Sequence, residues 1–172
     1  NGAEVGLWAR EAEVVTAVNR EHRNPLFLPG VELDPGIRAT GDLAEACRAD
    51  AVLLAVPAQH MRAVCAELAL TLAPGVPAVL CAKGIEQASG RLMSEVAAEA
   101  LPEAPLAVLS GPTFAVEVAA GLPAAVTLAC ADRARAEALQ RALGSPAFRP
   151  YLSEDVRGAQ IGMPFELLLD VG

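Results

Sequence analysis

Lys83 directly follows the short apolar run at residues 78–82 and precedes Gly84. An ammonium at the end of a buried strand suits a phosphate or a polarised hydroxyl, and the glycine beside it lets a ligand approach the backbone. The alternative is a solvated loop lysine. A second group, Ser110-Gly111-Pro112-Thr113, closes the apolar run at residues 106–109. Free N–H groups at the helix start that follows can hold an anion or a substrate hydroxyl, and Thr113 adds a side-chain donor and acceptor. The same residues also read as a tight turn with a capped helix. A third group, Arg10-Glu11, follows residues 3–9 (AEVGLWA). If that run is the second strand of a nucleotide-binding unit, its end faces the adenosine ribose, where an arginine accommodates a 2′-phosphate and an acidic residue accepts from a 2′-hydroxyl. The pair reads equally well as a polar corner between strand and helix. Pro57 ends the run at residues 51–56 and either lets the chain pass beneath a cofactor, with Gln59 near the next helix start, or is an ordinary loop proline. His60 has no partner at ligand spacing and reads as a helix-surface residue.

These residues all fall at the ends of strand-like runs, so the elements that position them matter. Strands are expected over 3–9, near 37–39, and over 51–56, 78–82, 106–109, 124–129 and 148–152. Residues 51–56 and 78–82 are continuous apolar runs, as in strands buried on both faces. Helices are expected over 11–21, from Thr40 or Asp42 through Cys47, and over 59–72, 90–101 and 133–143. The stretch 24–36 (NPLFLPGVELDPG) carries three prolines and two glycines and is expected to be a loop. Strands alternating with helices imply βαβ units and a mainly parallel, doubly wound α/β sheet. In such a sheet ligands bind beyond the carboxyl ends of the strands, where these groups fall.

Composition narrows the function classes. The chain has 172 residues, enough to bury a sizeable core in one domain. It is 53% hydrophobic but only 3% aromatic, so Ala, Val and Leu must build that core. A net charge of −8 argues against nucleic acid as a partner, which requires clustered Lys and Arg. No apolar run approaches the roughly 20 residues a membrane span needs. Cys47, Cys65, Cys81 and Cys130 lie far apart with no C-x-x-C pair, and read as buried thiols of a cytoplasmic protein rather than a metal site or disulfide framework.

The runs NPLFLPG, AVPAQ, CAKGIE, LMSEVAAE, LSGPTFAVEVAAGLPAAV and FRPYLSEDVRGAQIG resemble, in order and spacing, the bacterial type of NAD(P)-dependent glycerol-3-phosphate dehydrogenase. The resemblance implies a Rossmann-like domain over residues 1–162. It also implies hydride transfer between NAD or NADP and the C2 position of dihydroxyacetone phosphate or glycerol 3-phosphate, a step toward glycerophospholipids. By matching position, Arg10 and Glu11 are expected at the adenosine end of the cofactor. Lys83 is expected to contact cofactor and substrate, Gly111 and Thr113 the substrate, and Ala115 the cofactor. A homodimer of the full-length parent is expected from the same resemblance.

The pattern also departs from that family. Its opening strand and glycine-rich turn are absent, so the sheet is expected to lack its first strand and to expose apolar edges. The family's proton-transfer lysine lies beyond the G-x-x-I-G segment, and no lysine follows Lys83 here. Residues 163–172 fit no expected element and read as an atypical tail. The 172-residue chain is therefore expected to be an inactive fragment. The second reading is a non-catalytic nucleotide-binding or interaction module on the same scaffold.

Overall fold

The computed structural model describes residues 3–161, and the atypical tail lies outside them. The chain is α/β, but its strands fall into three sheets rather than one. Strand β1 (Gly6–Trp8) pairs in parallel with β4 (Arg38–Thr40), and β2 (Arg23–Asn24) pairs antiparallel with β3 (Leu28–Glu32). The third sheet has the order β5-β6-β7-β8-β9, with β5 at Val52–Leu54, β6 at Ala78–Leu80 and β7 at Leu106–Ser110. Strand β8 covers Ala124–Ala129 and β9 covers Phe148–Ser153. All its pairings are parallel except β7 with β8. That pair can be antiparallel because residues 111–123 hold only the five-residue helix α5 (Ala115–Ala119), with no long crossover to impose a parallel return.

Five further helices of the expected set and one unexpected helix surround these strands. They are α1 (Ala12–Glu21), α2 (Leu43–Ala46), α3 (Met61–Leu68), α4 (Met93–Ala100), α6 (Arg133–Leu143) and α7 (Val156–Ile161). A 3-10 turn, Ala58–His60, leads into α3. Local chemistry sets the helix starts. Asp42 Oδ1 accepts from the backbone N–H of Ala44 and Glu45, so Asp42, not Thr40, caps α2. Asp132 caps α6 in the same way, accepting from Arg135 N–H at 3.0 Å. Asp155 Oδ1 accepts from Gly158 N–H at 2.8 Å and opens α7, which hydrophobic periodicity did not reveal over so short a segment.

The period-2 alternation of the strands divides the five-stranded sheet's core into two layers. Ala78, Leu80 and Val108 join Leu54, Met61, Val64, Cys65, Leu68, Met93, Val96 and Ala97 beneath α3 and α4. Val79 and Ala107 face the other way, with Leu128, Cys130, Ala136 and Leu139 under α6. Each fully buried Met or Leu, such as Met61 and Leu80, contributes about 1.5–3 kcal/mol by leaving water. A third, smaller core of Ala9, Val14, Val18 and Ala39 lies under the β1–β4 pair.

Two expectations need correction. Residues 24–36 are not simply a loop: the β2–β3 ribbon forms there, reversing over residues 25–27, with Gly30 at φ +79° inside β3 where the register shifts. The prolines tolerate this because a two-stranded ribbon consists only of edges, where a missing N–H costs no interior ladder bond. Strand β5 is not buried on both faces either, since Leu53 is 46% exposed. It stands at the end of the sheet, and α6 packs on β8 and β9, too far along to cover it. Val5, just before β1, is exposed as well, at 49%.

Candidate functional site

Strands β6 and β7 are parallel and hydrogen-bonded neighbours, so the segments that leave them emerge at one edge of the sheet. Lys83 leaves β6 and Gly111 leaves β7, which brings two of the expected groups side by side in the topology. Lys83 is exposed and is the single lysine of the sequence. It follows the last ladder bond of β6, from Cys81 N–H to Leu54 O, and precedes Gly84 at φ +98°. That backbone conformation favours glycine and turns the chain sharply away from the strand.

Gly111 is buried against β8. A Cβ there would lie 2.7 Å from Val126 Cγ1 and 3.1 Å from both Ala125 O and Val126 Cα. Glycine is required at this point by close backbone approach, not by its φ. Thr113 N–H donates to Gly111 O at 2.9 Å, which closes the turn expected at Gly111-Pro112. The helix start beyond it differs from expectation. Helix α5 has only five residues, too few to build a macrodipole, and its first turn holds Glu117. The Glu117 carboxylate accepts from Phe114 N–H at 3.5 Å, so a carboxylate already occupies the end where an anion was expected. Ala115 opens this helix and is exposed.

Arg10 and Glu11 follow β1, in the separate two-stranded sheet. The Arg10 guanidinium lies 5.7 Å from the centroid of the Trp8 ring and 3.4 Å from Glu67 Oε1 on α3. Its side chain is 62% exposed, so this ion pair is weak and readily exchanged for another anion. Glu11 is the N-terminal flanking residue of α1, yet its side chain makes no capping bond and is left free for a ligand or for solvent.

Sequence reasoning singled out Gln59 but missed its partners, and missed Arg62, Glu86 and Ser89, all of which lie around the segment that carries Lys83. Gln59 Nε2 donates to Ile85 O at 2.9 Å, and Gln59 Oε1 accepts from Gln87 N–H at 3.0 Å. Arg62 Nε and Nη2 both donate to the Glu86 carboxylate at 2.8 Å, a bidentate pair. Ser89 Oγ adds a hydrogen bond to Glu86 Oε2 at 2.5 Å. Glu86 is buried, and its carboxyl is held down to about 2, first by Arg62 and then by Ser89. Arg62 also reaches Glu99, which pairs with Arg91. The available signal was the three-residue spacing of Gln59 and Arg62, which puts both on one side of the turn entering α3.

His60 is exposed, as expected of a surface residue. The four cysteines are free; Cys47, Cys65 and Cys130 are buried as expected, Cys81 at the end of β6 is only half-buried, and desolvation pushes the Cys65 and Cys81 thiols up to about 11. Among the described residues, no group of three or more His, Cys, Asp and Glu could hold a metal ion. No described helix is long and apolar enough to cross a membrane. A cleft of about 300 Å³ lies against the β2–β3 ribbon and another of about 480 Å³ between α6 and β9. Lys83, Gly111 and Thr113 line neither of these two clefts.

Residues 1–136 match the sequence family described as the NAD-dependent glycerol-3-phosphate dehydrogenase N-terminus. The chain belongs to that family. It is 61% identical over 161 residues to a glycerol-3-phosphate dehydrogenase (NAD(P)+) of Parvibaculum lavamentivorans, covering 94% of this chain and 48% of that protein. The corresponding Rhodospirillum rubrum protein is 65% identical over 163 residues, covering 94% and 46%. Among solved structures, a glycerol-3-phosphate dehydrogenase of Coxiella burnetii superposes with a TM-score of 0.85 at 31% identity, over 93% of this chain and 49% of that one. The yeast enzyme gives 0.78 at 26% identity, over 91% and 49%. The chain thus spans about half the length of these relatives. The expected family and its Rossmann-like α/β fold are borne out.

Proposed function

We propose that residues 1–162 form the nucleotide-binding part of an NAD(P)-dependent glycerol-3-phosphate dehydrogenase and supply one wall of its active site. The observation that carries this reading is the shared edge. The ammonium of Lys83 and the Gly111-Thr113 turn leave adjacent parallel strands at the side where α/β sheets bind ligands. The residues present fit a dinucleotide at both ends. Arg10, stacked near Trp8 with only a long, exposed ion pair, is free to receive a 2′-phosphate, and Glu11 beside it can accept from a 2′-hydroxyl. The pair therefore serves NADP or NAD. The close approach of Gly111 to β8 seats the Gly111-Thr113 turn at the end of the sheet, where Thr113 can meet a small substrate.

A bound nicotinamide cofactor would supply the hydride acceptor or donor. This chain's own residues bind and orient. Lys83 neutralises phosphate charge and polarises the C2 oxygen, Gly111 and Thr113 seat dihydroxyacetone phosphate or glycerol 3-phosphate, and Ala115 packs against the cofactor. No second lysine is present to exchange the proton at the C2 oxygen, a loss worth on the order of 10²–10⁴ in rate. The 172-residue chain alone is therefore expected to be inactive, within a cytoplasmic parent that pairs as a homodimer.

Fusing residues 1–161 to the remaining half of the Rhodospirillum rubrum relative tests this. The chimera should reduce NAD or NADP with glycerol 3-phosphate, and Lys83→Ala should abolish that activity. A folded chimera whose turnover ignores Lys83→Ala would overturn the reading, as would turnover by the 172-residue chain alone.

A further inference from the structure

Lys83 has no hydrogen bond or ion pair of its own among the described residues, yet its proposed task requires a fixed ammonium. The stretch that carries it leaves the ladder after Cys81 and swings out at Gly84, at φ +98°. Two contacts from the neighbouring β5–α3 connection catch it again. The Gln59 amide offers both a donor and an acceptor, to Ile85 O and Gln87 N–H, and so pairs with the loop as an adjacent strand would. One turn on, the Arg62 fork grips Glu86 with two 2.8 Å bonds. A buried carboxylate is costly unless fully paired, and Arg62 with Ser89 supplies that pairing. The Glu86 side chain is 9% exposed against 42% for Arg62, so the grip is anchored inside the fold rather than fraying at its surface.

We propose that Gln59, Arg62 and Glu86 are positioning residues that hold residues 83–87 in place, and so fix the Lys83 ammonium at the carboxyl edge of the sheet. The assignment rests on the role given to Lys83 above. It explains why the connection after β5 carries a neutral double-bonding amide followed by a planar fork. A lysine at position 62 would keep the charge but not the two parallel bonds.

Because Lys83 is the sole lysine, incorporation of 15N-lysine gives a single backbone amide resonance, that of Lys83. Its order parameter should be near that of rigid backbone, about 0.85, in the unaltered chain and fall toward about 0.6 in Gln59→Ala and Arg62→Lys. Gln59→Ala is decisive because Gln59 is exposed and uncharged, so its loss leaves the buried layers intact. An Arg133→Ala control removes an exposed α6 ion pair and should leave the order parameter unchanged. An unchanged order parameter in both Gln59→Ala and Arg62→Lys, with cooperative melting retained, overturns the positioning role. Titration of the same resonance with glycerol 3-phosphate tests Lys83 separately. A saturable shift in the unaltered chain supports its substrate role, and at least tenfold weaker binding in Gln59→Ala follows from positioning, since a 1 Å misplacement is worth up to roughly 10²-fold. No shift in the unaltered chain counts against the substrate role, whatever the order parameters report.

Discussion

Replacing Gly111 by alanine adds one methyl group where β8 has left no room. Ordinary carbon contacts sit at about 3.5–4.0 Å, whereas the new Cβ would meet Val126 Cγ1 at 2.7 Å and Val126 Cα and Ala125 O at 3.1 Å. Val126 is buried and β-branched, so its Cγ1 has few rotamers into which to retreat. The other two atoms are backbone of β8, which is paired on both sides and moves only if the sheet moves. Overpacking of this kind costs about 1–3 kcal/mol. The φ of Gly111 lies outside the left-handed region, so alanine also stiffens the unfolded chain and returns about 0.4–1 kcal/mol. At the midpoints of these ranges the net destabilisation is about 1.3 kcal/mol, a Tm drop of roughly 3–5 °C for a chain of this size. Gly6→Ala makes the same chemical change where nothing lies within 4 Å and φ is ordinary, so it should be neutral or slightly stabilising. Thermal melts followed by circular dichroism read both. A Gly111→Ala protein that melts at or above the unaltered chain would refute the claim that close backbone approach demands glycine here.

Three further outcomes follow from the described contacts. Gln160 is buried, accepts from Ser94 N–H and donates to Ser94 Oγ and Val156 O, tying α7 to the start of α4. Gln160→Leu should cost about 1–3 kcal/mol in urea unfolding, and a midpoint shift near zero would show that water replaces these bonds. Folding lowers the Glu86 carboxyl from 4.5 to about 2, so it contributes stability above its unfolded value that is lost as acid protonates it. The urea midpoint should therefore fall between about pH 4.5 and pH 2, and Glu86→Gln should flatten that limb; an equally steep limb in the variant assigns it to other groups. With Cys65 and Cys81 at about 11, only roughly 10⁻³ of each thiol is thiolate at pH 8. Iodoacetamide should label both slowly in the folded chain and quickly once it is unfolded, whereas rapid labelling when folded would contradict their burial.

The sequence determined the local elements and the residue types available for chemistry. Helix α6 begins and ends where the capping Asp132 and the closing Gly144 place it, and β8 keeps its expected bounds. Strand β6 is buried on both faces, as its unbroken apolar run requires. Lys83 and the Gly111-Thr113 turn were legible because short apolar strands mark their own carboxyl ends. Tertiary structure decided the rest, because the deciding contacts join residues far apart in the chain. Nothing near residue 53 says that β5 stands at the end of a sheet, so its exposure was not readable. Nothing near residue 111 says that β8 passes within a methyl's width. The Gln59 and Arg62 grip bridges 24–28 residues, and its partners become visible only when β5 and β6 lie side by side.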